Sequence, residues 1–179
     1  MTALDATVHL SAGTGHVVRR RAALLFLPRP DDTVRAAFVA AADGDELQAV
    51  ASATVAAGFS VGPFVCVAWH PPVRVMVFGD LAVETDQPRV PMFTGAGSRT
   101  WVEQTIPVDD AAQVSVLPTG DDADDATDLR DGTAHAGGFV LALTAAGAAS
   151  APPAVETVVV DESIDDRDEA RDDAGRSEA

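Results

Sequence analysis

Few side chains in this 179-residue chain could do chemistry: four histidines, one cysteine, a run of aspartates and one glycine-rich turn. Asp121, Asp122, Asp124, Asp125 and Asp128 put carboxylates close together. Hard cations such as Ca²⁺ take about six to eight oxygens from segments of that kind. A calcium loop also needs a central glycine and a closing glutamate; without them the run reads as solvated charge. His9, His16, His70 and His135 show no i,i+4 pair on a plausible helix and no His-Glu-x-x-His arrangement. Cys66 and His70 would share a strand face, but two ligands do not make a zinc site. Cys66 excludes internal disulfides and, inside an apolar run, reads as a buried, inert thiol. Ser98, in Gly95-Ala96-Gly97-Ser98-Arg99, lacks the lysine and following helix of a phosphate loop, so a tight turn is expected. No Gly-x-Ser-x-Gly elbow is present. These groups lead to no expected catalytic residue, metal ligand or cofactor.

The elements that must carry them follow from charge and periodicity. All 12 basic residues are Arg, against 28 acids, for a net charge of −16. Residues 1–119 account for −4, residues 120–131 for −5 and residues 152–179 for −7. A nucleic-acid binder needs a basic footprint, and docking on an anionic membrane needs basic residues too, so both classes are excluded. Surface acids without lysine also read as salt adaptation. The start of the chain lacks a basic stretch followed by an apolar one, and a cytoplasmic location is expected. Residues 132–155 carry no formal charge, but Gly137, Gly138, Gly147, Pro152 and Pro153 interrupt them and few are strongly apolar. A short strand, Phe139–Thr144, and a flexible linker are expected there, not a membrane span.

Asp31-Asp32-Thr33 is a helix start, with Val34, Ala37, Phe38 and Ala41 at helical spacing. Asp43-Gly44-Asp45 interrupts, and Asp45 can cap a second helix carrying Leu47, Val50, Ala51, Thr54 and Val55 on one face, with Gly58 as its stop. Thr7–Leu10 is a short strand, Gly13-Thr14-Gly15 a turn, and His16–Leu27 a long strand or hairpin. Further strands are expected at Pro63–His70, Val73–Phe78, Leu81–Thr85, Val90–Phe93, Thr100–Ile106 and Gln113–Leu117. Short strands with close turns predict an α+β domain over residues 1–147: an antiparallel meander with a helical pair packed on one face. Residues 120–131 read as a mobile acidic loop, and residues 148–179 as linker and disordered acidic tail.

Two resemblances bear on function. An Asp-Gly before a helix and a Gly-Asp after a strand, here Asp43-Gly44 and Gly79-Asp80, are similar to motifs of the metal-dependent Ser/Thr phosphatases of the protein-phosphatase-2C type. That resemblance implies that Asp43 and Asp80 hold two metal ions that activate water for attack on phosphate. The glycine-rich continuation, the later Gly-Asp and the terminal Asn-Asp are missing, so the implied enzyme is a degenerate one. The order of Val34–Ala57, Phe64–Trp69, Val75–Asp80, Arg99-Thr100-Trp101-Val102-Glu103 and Gly137-Gly138-Phe139-Val140-Leu141 resembles the uncharacterised N-terminal domain of actinobacterial proteins that carry a forkhead-associated (FHA) domain. The lysine-free, Ala/Asp/Arg-rich composition is similar to that of a high-GC actinobacterium. No FHA domain fits in the remaining residues and only Cys66 is present, so neither phosphothreonine reading nor a zinc ribbon carries over. This resemblance implies a non-catalytic accessory or protein-interaction domain in a signalling or assembly protein, with no residue role assigned. Trp69 and Trp101 are the candidate contact residues for a protein partner; the alternative for both is core packing.

Overall fold

Strand β1 (Leu4–Arg20) runs for 17 residues, yet Arg19 Nη2 donates to the carbonyl of Ala6 on the same strand at 3.0 Å. A straight strand would hold those residues about 43 Å apart at 3.3 Å per residue. In this computed structural model, β1 therefore doubles back, and it does so at the irregularity between Ser11 and Gly15. Gly13 and Gly137 meet there: a Cβ on Gly13 would lie 2.2 Å from Gly137 Cα, and one on Gly137 2.4 Å from the Ala12 carbonyl oxygen. Only glycine lets the two backbones come this close. The expected turn at Gly13-Thr14-Gly15 is thus a bulge inside a strand.

The structure describes residues 4–90, 92–108, 111–116 and 129–145. The acidic run through Asp128 and the segment expected as linker and tail, residues 148–179, lie outside them. The described residues all fall within one unit, Met1–Ala148; the other unit is Ala149–Ala179.

After β1 come β2 (Ala23–Leu27), α1 (Asp32–Ala40), α2 (Glu46–Ala56), β3 (Phe64–Ala68), β4 (Val73–Phe78) and β5 (Ala82–Thr85). β6 (Met92–Thr94), β7 (Val102–Ile106), β8 (Ala111–Val116) and β9 (Gly132–Ala145) complete the set. The sheet order is β6-β5-β8-β9-β1-β2-β3-β4-β7, with every pairing antiparallel. This overturns the α+β meander. The described residues are 51% strand and 16% helix, in one nearly closed, barrel-like sheet. Its centre is the long pairing of β1 with β9, from Leu4↔Ala145 to Arg19↔Gly132, which joins opposite ends of the described chain.

The curl follows from packing. Val83 and Val114 from one end of the strand order share a core with Val75, Val77 and Ile106 from the other, so the sheet wraps round a single interior. A second core lies on the outer face, where Leu25, Leu27, Cys66 and Met76 meet Val34, Phe38, Leu47 and Val50 of the helices. β2 and β3 are therefore buried on both faces, which explains their unbroken apolar runs. Each fully buried Leu, Val or Phe there contributes about 1.5–3 kcal/mol of transfer free energy.

The helices stand where their periodicity places them. The Val34 N–H donates to Asp31 Oδ1 at 3.0 Å, capping α1, and the Gly62 N–H donates to Asp31 Oδ2 at 2.8 Å. Arg20 donates to the carbonyls of Phe38, Val39 and Ala41, closing the other end of α1 and fixing it over the end of β1. Asp45 makes no side-chain cap; instead the Gly44 N–H donates to Glu46 Oε2 at 2.9 Å. No helix among the described residues is long and apolar enough to cross a membrane.

Candidate functional site

The two aspartates of the phosphatase-like motifs do not converge. Asp43 pairs with Arg21 in the β1–β2 turn, at the end of the sheet where Ala23 faces Ala68 and Ala68 faces Arg74. Asp80 follows Phe78, which faces Phe64 at the opposite end of β3 and β4. The strand between Arg74 and Phe78 alone spans about 13 Å. Gly44 (φ 87°) and Gly79 (φ 78°) occupy left-handed turn positions, the ordinary use of Asp-Gly and Gly-Asp dipeptides. Among the described residues no three His, Cys, Asp or Glu side chains group as metal ligands.

Cys66 is buried between strand and helices, and burial first, then the Glu46 carboxylate, pushes its thiol well above the usual range, with Arg74 opposing. A thiol held neutral in this way is a poor nucleophile. Gly95–Ser98 is a tight turn closed by the Ser98 N–H to the Gly95 carbonyl at 3.1 Å, with Gly97 at φ 75°. His16 and His135 face each other across β1 and β9, with ring centroids 4.7 Å apart at 79°. Sequence reasoning missed that pair because only the long-range register creates it.

The two tryptophans separate. Trp69 is 4% exposed, sits in the barrel interior and donates its backbone N–H to the Ala22 carbonyl at 2.9 Å. Its place among the contact candidates is therefore corrected to core packing. Trp101 is half-buried just ahead of edge strand β7 and packs on the helical side. Its ring lies 6.2 Å from that of Phe59, which is 6.4 Å from Phe78, itself 5.5 Å from Phe64. Phe59 holds a left-handed backbone (φ 62°) directly after Gly58 (φ 60°), where its N–H donates to the Thr54 carbonyl and closes α2. A phenylalanine tolerates that conformation at a cost, and here the turn sets its ring between Phe78 and Trp101. An open groove of about 380 Å³ results between Trp101 and α2, with Ala51, Val55 and Ala56 as its apolar wall and Gln48 and Ser52 on the helix side. Val55, read as a core-face residue, is instead 54% exposed in this groove.

A larger cavity, about 520 Å³, opens between the two arms of β1. Arg19, Arg21 and Arg130 line it, with Asp5 among them and Trp69 behind Arg19. The Arg19 guanidinium stands 5.3 Å from the Trp69 ring centroid and donates to the Leu129 carbonyl at 2.6 Å. Nothing local in the sequence unites Arg19 with Arg130; the β1–β9 register does.

No protein-family model matches the chain, and no curated protein matches it. Among solved structures it is similar to the PPM Ser-Thr phosphatase MsPP from Mycobacterium smegmatis, in complex with cacodylate. The TM-score is 0.44 at 12% identity, over 80% of this chain and 98% of that one. It is also similar to PppA, a key regulatory component of T6SS in Pseudomonas aeruginosa, with a TM-score of 0.43 at 10% identity over 80% and 99% of the two chains. No residue of this chain takes a role from either protein.

Proposed function

We propose that this chain is a non-catalytic accessory domain that binds a protein partner through the groove between α2 and Trp101. The observation that carries this is the groove itself: an exposed apolar wall at Val55, facing a tryptophan backed by a row of aromatic rings. Large aromatics held rigid beside small apolar residues are the usual anchors of protein contacts. The groove residues carry no formal charge, so the complementary segment is an apolar, uncharged one, such as a helix or extended peptide presenting a single large side chain. A cytoplasmic signalling or assembly role of the FHA-associated kind belongs to the same proposal.

The degenerate phosphatase is the competing reading. It needs convergent carboxylates, and Asp43 and Asp80 stand at opposite ends of the sheet. Two assays separate the readings. Immobilised wild-type chain, Val55→Arg, Trp101→Ala and the exposed-site control Arg99→Ala are compared for proteins retained from lysate. A partner held by wild type and Arg99→Ala and lost by both groove variants is expected; equal retention by Val55→Arg overturns the groove assignment. Incubation with 4-nitrophenyl phosphate and Mn²⁺ should give no turnover above the blank, and turnover abolished by Asp80→Asn would establish the enzyme instead.

A further inference from the structure

Helix α2 turns one side to solvent, and that side is unlike the rest of the chain. The sequence holds 12 basic and 28 acidic residues, yet residues 47–60 contain none of them. The one acid inside α2, Glu46, is 1% exposed. Gln48, Ser52, Val55 and Ala56 are the exposed residues of the helix. A solvated surface helix carries charged residues on its outer side, as α1 does with its exposed pair Asp32 and Arg35. The exposed row of α2 is also the helix wall of the groove beside Trp101.

We infer that a second copy of this chain covers this face, with the two α2 helices antiparallel about a two-fold axis at Ser52. The inference rests on the groove reading given above and names the groove's occupant. Charge selects that occupant. A partner with a basic rim gains from acids around its docking site, and α2 offers none. Two chains of net charge −16 repel each other, and they meet at least cost where neither presents an acid. In the antiparallel arrangement Gln48 of one copy faces Ala56 of the other, and Ser52 faces Ser52. Asp45, the exposed acid just ahead of α2, then falls against Phe59 of the second copy and not against another acid. The α2 helix of each copy lies along the groove of the other, beside Trp101. The helix is about 16 Å long, so even with Trp101 it offers less than the roughly 800 Å² per partner of a standard interface. The result is a micromolar, exchanging dimer and not a permanent one.

Sedimentation equilibrium of the full chain tests this. Wild type should pass from monomer to dimer with a Kd of about 1–100 µM, and the dimer should tighten as NaCl is raised from about 50 to about 500 mM. Val55→Arg puts two guanidinium groups into a two-fold contact and should weaken the dimer about a hundredfold, although it makes each copy less acidic. Met92→Arg, at an exposed apolar position on β6, should leave the dimer unchanged. Ser52→Cys, in a chain whose own Cys66 is buried, should give a disulfide-linked dimer on oxidation. A dimer that persists in Val55→Arg, weakens with added salt or gives no Ser52→Cys cross-link overturns the inference. If Val55→Arg loses the wild-type circular dichroism, the cross-link and the salt series decide. Wild type that stays monomeric at about 200 µM also overturns the inference. Where that monomer still holds a lysate protein that Val55→Arg loses, the groove reading stands with a different partner; where it holds none, both fall.

Discussion

Raising the pH above 9 should destabilise this protein through one side chain. The chain has no lysine and no tyrosine, the other side-chain types whose ordinary pKa values lie near 10. Cys66 is the one side chain left to ionise between about pH 8.5 and 11. Burial and the Glu46 carboxylate raise its pKa in the folded state, while in the unfolded chain it returns to about 8.5. The unfolded state therefore loses a proton that the folded state keeps. Stability is intact below about pH 8.5 and declines as pH rises toward the folded value, by about 1.4 kcal/mol per unit. At about pH 10.5 the accumulated loss is on the order of 2–3 kcal/mol, a large share of a typical domain's stability. Urea unfolding at a series of pH values from 7 to 10.5, on wild type and Cys66→Ala, measures it. Cys66→Ala should be less stable at pH 7, from the lost sulfur contacts, but flat with pH. A flat wild-type profile, or an equal alkaline slope in Cys66→Ala, would show that the thiol is not sealed between β3 and the helices.

Three further outcomes are expected. Asp31→Ala removes the α1 cap and leaves the Gly62 N–H without its carboxylate, so chemical denaturation should show a loss of about 2 kcal/mol. Gly137→Ala drives a methyl group against the Ala12 carbonyl at the β1 corner; a loss of about 3 kcal/mol or failure to fold is expected, whereas Gly97→Ala, whose added Cβ meets open space, should cost only its left-handed strain of about 1 kcal/mol. Phe38→Ala empties a fully buried position under α1 and should cost about 3–5 kcal/mol in urea unfolding.

How much was legible follows the range of the forces involved. Helix α1 was readable because its determinants are local: Asp31 caps an amide three residues on, and Val34 and Phe38 stand one turn apart. The apolar runs at Ala23–Leu27 and Phe64–Ala68 were readable as strands, and burial on both faces explains why they do not alternate. Cys66 as an inert thiol, and Ser98 in a turn, also followed from their neighbours.

The pairing of β1 with β9 was not legible. It joins residues more than a hundred positions apart, and a strand's own pattern does not say which strand it will meet. The class error, a meander in place of a barrel-like sheet, comes from that pairing together with the crossovers that set β4 beside β7 and β5 beside β8. The same register brings His16 to His135 and Arg130 to Arg19, while the length of β4 holds Asp80 away from Asp43. The sequence by itself determined the two helices and the apolar cores of β2, β3 and β4, since hydrogen bonding and side-chain period act over a few residues, but not the full extent of β1 and β9. Only the tertiary structure decided which side chains share a cavity, because that depends on how the sheet closes.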